Sequence, residues 1–433
     1  MERVAENLNF PTSVAVDTVG TVYVAESGLP LGGGPDKGSI LRIGSDGVRS
    51  CLLTGLRPPV NGVTYHKGSL FISEGGYPGR ISRFDLVSGE WIILADRLPG
   101  FGNYHTNMAV VGPDEKLYFS QGAMTNSGII GLDSYDLGWL RHVPHNCDIP
   151  GYDIVLTGVN SETADPREPD TSRKARTGAF VPFGTSTVPG QKVKGRVPCT
   201  SSVMRCNLDG SGLELVAWGL RNAYGLRFLP DGRLLATEQG SDDRGSRPIA
   251  NCPDFLYEVR PGAWYGWPDF IGGVPVTDTR YQLEDGLRAA FLLANHNELP
   301  VPERPLLKFE VNTSPLKFGV VPPEVQSCPG HLIVALFGDE RYSNSTAPPA
   351  GRKLVRINPL DWTVHPVNGP QLHRPIDVTF APSGSAMYVV DFGEFEIVAN
   401  KKMHARAGSG VLWKMAPDLG KRQTGGRAAK GSG

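Results

Sequence analysis

His105, in the stretch GNYHTNMAV, is the residue best suited to move a proton. An imidazole that titrates near neutral pH can deprotonate an alcohol as hydride leaves the adjoining carbon. It belongs to a set. Asn61, His105 with Thr106 and Asn107, Arg221 with Asn222, Asn312 with Thr313, and His373 with Arg374 all fall just ahead of short apolar runs. Arg221 and Arg374 carry planar forks that match carboxylates, and Asn222 can donate to and accept from a carbonyl or hydroxyl. The plainer alternatives are that polar side chains are tolerated at a wet rim and that His105 bonds adjacent loops. A second set, Glu26, Glu74, Gln121, Glu238 and Asp391, recurs at one repeated position. Its oxygens could hold a hard cation such as calcium, or bond backbone amides between blades. His142, His145, Cys147 and Asp148, in HVPHNCD, offer imidazole and thiol ligands that suit zinc or copper, at a spacing that is no standard metal motif. No phosphate-cradling glycine loop, dinucleotide fingerprint or GxSxG elbow occurs.

An internal repeat sets the spacing of these residues. TVYVAESG (21–28), SLFISEGG (69–76), KLYFSQGA (116–123), RLLATEQG (233–240), HLIVALFG (331–338) and AMYVVDFG (386–393) are six copies of one short strand. Ahead of each lies a second apolar run: VAV, VTY, MAV, LRF, LKF and VTF. Polar glycine-bearing turns such as LPDG and APSG join four of the pairs into hairpins. Further strands read as ILRIG, RISRFDL, SVMRCNL, FLYEV, KLVRI and VLWKM. Six such units predict an all-β, six-bladed β-propeller, with a β-sandwich as the competing architecture. The two sets then stand at the mouth of the central channel.

Tyr23, Phe71 and Tyr118 are spaced at one blade each, whereas the steps to Leu235 and Ile333 are far longer. Two insertions, about 124–200 and 241–328, are therefore expected over the channel mouth. Residues 1–416 read as one domain, and the basic, glycine-rich stretch 417–433 as a disordered tail. Only Leu283 to His296 has a helical pattern, which Gly286 weakens.

The 433 residues are 40% hydrophobic, with 54 Gly and 36 Pro, which suits a turn-rich globular protein. Lys plus Arg (43) nearly equals Asp plus Glu (44), so no basic excess marks a nucleic-acid or membrane-surface partner. No apolar run reaches the length of a membrane span. The chain opens without a charged start and apolar stretch, which suggests a cytoplasmic protein or one whose leader has been removed. The six cysteines are widely spread, and most are expected to be free, with Cys199 and Cys206 placed for a local bridge.

GLRNAYGLRFLPDGRLLATEQGSDD (219–243), followed by PGAWYGWPDF (261–270), resembles the glucose/sorbosone dehydrogenase family. NYHTNMAVVGPDEKLYFSQG (103–122), GHLIVALFGD (330–339) and AMYVVDFGEF (386–395) are similar to the same family. The resemblance implies a propeller that binds pyrroloquinoline quinone (PQQ) and calcium. It would oxidise a small-molecule sugar or alcohol and pass electrons to an acceptor that no residue here identifies. It makes His105 the general base above the quinone and Arg221 with Asn222 the quinone-contacting pair. It makes Gly240 and Ser241 the backbone calcium ligands, though proline is common at the second place. Lys317, Arg352 and Arg374 become the residues that meet the quinone carboxylates. Tyr224 stands where the glucose enzyme has a quinone-contacting glutamine. Ala123 falls near the aspartate that orients the histidine. Three other readings remain: a metal-dependent lactonase or hydrolase using Glu26, Glu74 or Asp391, a ligand-binding propeller without chemistry, and a metal oxidase at the His142–Cys147 cluster.

Overall fold

The computed structural model describes residues 2–29, 34–76, 78–100, 102–168, 172–338, 350–369, 371–397 and 403–417. Nearly all of the tail from 417 lies outside them. Six antiparallel sheets form the blades of a propeller. The first blade runs outward through Pro11–Val16, Val22–Glu26, Gly38–Ile43 and Arg49–Leu56. The second holds Val60–His66, Ser69–Glu74, Gly79–Asp85 and Trp91–Leu98. The third holds Thr106–Val111, Lys116–Gln121, Ser202–Asn207 and Glu214–Trp218. The fourth is Ala223–Phe228, Leu234–Glu238, Pro253–Val259 and Leu307–Val311, and the fifth Pro315–Val320, Leu332–Leu336, Lys353–Ile357 and Val364–Pro366. The sixth takes Pro375–Phe380, Met387–Asp391 and Gly410–Met415 from the C-terminal end, and its outer strand, Glu2–Leu8, from the N-terminal end. Innermost strands of successive blades touch all round the ring, the sixth against the first. The N-terminal strand thus closes the circle.

The repeated second strands read as continuous apolar runs because neighbouring blades cover both their faces. Every residue of Ser69–Glu74 is buried. Between the first two blades, Tyr23, Ala25, Ile40, Val60, Val63, Leu70 and Ile72 form one such seam. Each large side chain there contributes roughly 1.5–3 kcal/mol of apolar burial.

One irregularity recurs in every blade. The innermost strand slips register with its partner near its first residues, between Pro11 and Ser13, Val60 and Gly62, Thr106 and Ala109, Ala223 and Gly225, Pro315 and Phe318, and Pro375 and Asp377. An extra residue in a ladder re-aims a side chain. The slips include Thr12, Asn61, Asn107, Tyr224 and Lys317, the residues that fill the bore.

The first insertion and the first piece of the second leave from the end where second strands stop, which carries His105 and Arg221, whereas residues 260–306 follow Val259, paired with Leu234 at the opposite end. Residues 122–201 separate the second and third strands of the third blade and contain two short helices, Leu132–Asp136 and Trp139–His142. The fourth blade carries its added chain as two pieces, 239–252 and 260–306, on either side of Pro253–Val259. The second piece lays Ala263–Trp264 parallel to Glu214–Trp218 of the third blade. The helix expected over 283–296 does not form. The amides of Leu292 and Leu293 donate instead to the Asp269 carboxylate at 2.7–3.0 Å, and Asp269 pairs with buried Arg247 at 2.7 Å. All six cysteines are free thiols, so no bridge joins Cys199 and Cys206.

Candidate functional site

The carboxylates of the repeat do not line the channel. In the first, second, fourth and sixth blades each caps the segment that enters its own blade. Glu26 accepts from the Asn9 amide at 2.7 Å, Glu74 from Arg57 at 2.6 Å, Glu238 from Arg221 at 2.6 Å, and Asp391 from His373 and Arg374 at 2.8 Å. Gln121, in the third blade, donates to the Pro99 carbonyl and accepts from Thr106. These bonds fasten the rim within each blade, rather than between blades. They fix the backbone of the rim residues that follow.

Below the rim a chain of inter-blade bonds crosses the bore. Thr12 donates to the Val60 carbonyl at 2.6 Å, Asn61 to the Thr106 carbonyl at 2.9 Å, and Asn107 to the Asn222 side chain at 2.8 Å. Asp377 accepts from the Ser13 hydroxyl at 2.7 Å and the Val14 amide at 2.9 Å, joining sixth blade to first. Lys317 is fully buried, and its ammonium donates to the Thr12 carbonyl at 2.7 Å and to the Asn61 carbonyl. It also lies 5.2 Å from the centre of the Tyr224 ring, a cation–π contact. One side chain thus ties the fifth blade to the fourth, first and second. Burial lowers its pKa to about 8, with Asp377 acting against that shift.

Arg221 is 2% exposed, and all five of its N–H donors are engaged by protein oxygens. Nε donates to the Asn126 carbonyl at 2.9 Å. Nη1 donates to the carbonyls of Gln239 and Gly240. Nη2 donates to the Asn126 side chain at 2.6 Å and to Asp242 at 2.8 Å. The guanidinium also stacks 4.4 Å from the Tyr104 ring. Arg244 reaches the same Asp242 at 3.0 Å and Asp133 at 2.6 Å. Burial would raise the Asp242 carboxyl, but the two guanidiniums hold it below the usual range. Asn222 donates to Gln239 and accepts from Asn107. The predicted Arg221–Asn222 pair is therefore locked to both insertions. The residues that lock it, Asn126, Gln239, Asp242 and Arg244, were not singled out from the sequence, although Gln239 occupies the position just after the repeated carboxylate.

His105 differs from this neighbourhood. It is wedged between two glycines. A Cβ on Gly75 would sit 2.6 Å from His105 Cβ, and the Gly122 amide donates to the His105 carbonyl at 2.9 Å. Its Nδ1 is sealed from solvent without a partner, and neither ring nitrogen has a hydrogen bond among the described residues. Burial depresses its pKa to about 4, so the ring is neutral at physiological pH. Ala123 presents only a methyl, and its amide donates to the Arg221 carbonyl. Among the described residues no carboxylate orients the imidazole.

Across the ring the rim is aromatic. Phe10, Phe337, Phe392 and Phe395 pack with ring centres 5.5–6.0 Å apart. Arg374 lies over Phe337 and Phe395 and donates to both their carbonyls. Phe337 and Phe392 follow the repeated strand directly, the same register position as Gln239. Beside Phe337, Arg352 has its Nε buried without a partner. Asn312 and Thr313 turn away from this rim, Thr313 bonding Asp254 and the Glu310 carbonyl.

An anionic, planar quinone needs unpartnered donors and a flat apolar wall. Arg352 and the aromatic half of the rim supply these. Calcium at Gly240 and Ser241 does not fit. The Gly240 carbonyl accepts from Arg221, so a divalent ion on that oxygen would compete with the guanidinium for it and be repelled by its charge. Among the described residues no three His, Cys, Asp or Glu side chains gather as a metal site, the HVPHNCD segment included. Asp148 there is occupied by the Met124 amide and the Thr125 and Thr200 hydroxyls. No described helix is long and apolar enough to cross a membrane.

The architecture is shared with solved sugar dehydrogenases. The PQQ-bound aldose sugar dehydrogenase from Streptomyces coelicolor is 16% identical over 96% of both chains, with a TM-score of 0.56. The holo PQQ domain of pyranose dehydrogenase from Coprinopsis cinerea is 13% identical, covering 96% of this chain and 94% of that one, at 0.54. A calcium structure of a family AA12 enzyme from Trichoderma reesei is 14% identical, covering 96% and 95%, also at 0.54. At these identities the likeness establishes the fold. No family model and no curated protein matches the chain.

Proposed function

We propose that the protein is an oxidoreductase that oxidises a hydroxyl of a small sugar or other polyol at the propeller mouth, with a PQQ-type quinone as hydride acceptor. The observation that carries the reading is His105, a neutral imidazole at the rim whose ring makes no hydrogen bond among the described residues. The described solved structures of this fold that bind PQQ act on sugars, which supports the same class of substrate here.

When bound, the quinone supplies the two-electron acceptor. The chain supplies the rest. Arg352 and Arg374, with Phe337 and Phe395, offer charge and a stacking wall on one side of the mouth. His105, across the ring, accepts the hydroxyl proton as the C–H bond breaks. Its depressed pKa keeps it deprotonated and ready. An anion seated nearby would raise its basicity towards the range that proton transfer favours. Arg221, Asn222, Asp242 and Arg244 hold the insertions against the rim and exclude water, rather than contacting the quinone. No calcium step is included, because Gly240 is engaged by Arg221.

The reading is tested by adding PQQ to metal-stripped protein and following quinone absorbance. Stoichiometric binding without calcium, weakened at least tenfold in Arg352→Met, supports it. No binding at micromolar quinone, with or without calcium, would overturn it.

A further inference from the structure

Outboard of the mouth lies a second cavity of about 430 Å³, formed where the second blade meets the first insertion. Pro78, Leu98, Pro99, Met124 and Ile149 give it an apolar wall. Arg97 and Arg196 stand at it, joined by His145 and the free thiol of Cys147. Unlike Arg221, Arg244 and Arg247, neither Arg97 nor Arg196 has a side-chain partner among the described residues. The volume suits a small molecule rather than a solvent gap. Two unpaired guanidiniums beside an apolar wall match an anionic head on an apolar body. The one carboxylate of the neighbouring segment, Asp148, faces away into its bonds with Met124, Thr125 and Thr200. It does not neutralise the pair.

We propose that this cavity is a binding site for an amphiphilic organic anion, a carboxylate or phosphate monoester on a hydrocarbon or aromatic body, separate from the mouth. Arg97 and Arg196 take the anionic head, and Leu98, Pro99, Met124 and Ile149 take the body. Cys147 borders the cavity and reports its occupancy.

The test uses octanoate, phenyl phosphate and uncharged octanol on the full chain. Calorimetric titration is expected to show saturable binding of octanoate or phenyl phosphate, whichever head is preferred. Octanol is expected to bind at least tenfold more weakly. In Arg97→Ala/Arg196→Ala the anion affinity falls at least tenfold with the melting temperature unchanged. These two residues are exposed, so the variant folds. Maleimide labelling of Cys147 at pH 8.5, read by peptide mass spectrometry with exposed Cys51 as internal control, is slowed by the bound anion only in the wild type. Equal binding of octanol, undiminished binding in the double variant, or anion binding that leaves Cys147 labelling unaltered would each overturn the proposal.

Discussion

The ammonium of Lys317, on the fifth blade, donates to the carbonyl of Asn61 on the second, directly across the ring. A sixfold closed sheet has no fold-wide disulfide or helix to hold its centre, and this bond with its partner at Thr12 does that work. Replacing Lys317 by Met leaves two buried carbonyls unpaired and removes a positive charge near Asp377. Chemical denaturation of Lys317→Met should show a loss of about 2–4 kcal/mol. A loss below 0.5 kcal/mol would mean that the bore is not held this way.

Glu238 illustrates a different stress. Its Oε1 caps Arg221, but Oε2 is buried without a partner, and burial pushes its pKa up to about 8 despite the neighbouring guanidinium. A carboxyl raised in the folded state stabilises below its unfolded pKa and loses that contribution as pH rises through the folded value. The wild type should therefore lose stability between about pH 4.5 and 8. Glu238→Gln, which keeps the capping oxygen, should flatten that slope and melt higher at pH 8. Thermal melts from pH 5 to 9 decide the matter; parallel curves would contradict it.

His105 has the opposite sign. Its folded pKa of about 4 lies below that of a free imidazole, so the native state resists protonation. Stability is full above about pH 6.5 and declines as pH falls towards 4. In the quinone-free protein the imidazole, followed by NMR, should titrate near pH 4 rather than near 6.5. A midpoint at 6.5 would show an imidazole exposed to water or paired to a carboxylate.

Calcium dependence follows from Arg221. Because its guanidinium holds the Gly240 carbonyl, millimolar calcium added to chelator-treated protein should leave the melting temperature within about a degree. Arg221→Lys cannot serve five acceptors. It should lower stability by several degrees and loosen both insertions, seen as faster amide exchange at 124–130 and 240–247. A calcium-induced rise of 5 °C or more in the wild type would place the ion at this site after all.

The propeller was legible because neighbouring blades bury both faces of each second strand, which forces the same apolar run and turn at every copy. Circular closure by Glu2–Leu8 was not. That strand is half exposed at the outer edge, so ERVAENL carries no periodic signal. The helix expected at 283–296 failed because Asp269, distant in sequence, binds the amides of Leu292 and Leu293 in another conformation. At the mouth, His105, Arg221 and Arg374 were found from their place in the repeat. Asn126, Asp242 and Arg244 were not, since the insertions that carry them follow no repeat. The aromatic half was within reach. Phe337 and Phe392 share one register position with Gln239, but that position was read for its carboxylate neighbours alone. The motifs around Arg221 and Gly240 could show that the two residues are near a rim. That one donates to the other is a tertiary fact.

The proposed oxidation is read directly as turnover. Protein loaded with PQQ is mixed with a redox dye and a panel of aldoses and polyols, alongside His105→Asn loaded to the same extent. Dye reduction is expected with at least one polyol, with a fall in kcat of at least a hundredfold in the variant and quinone affinity changed less than threefold. Equal turnover in the two proteins, or none in either across the panel despite bound quinone, would contradict it.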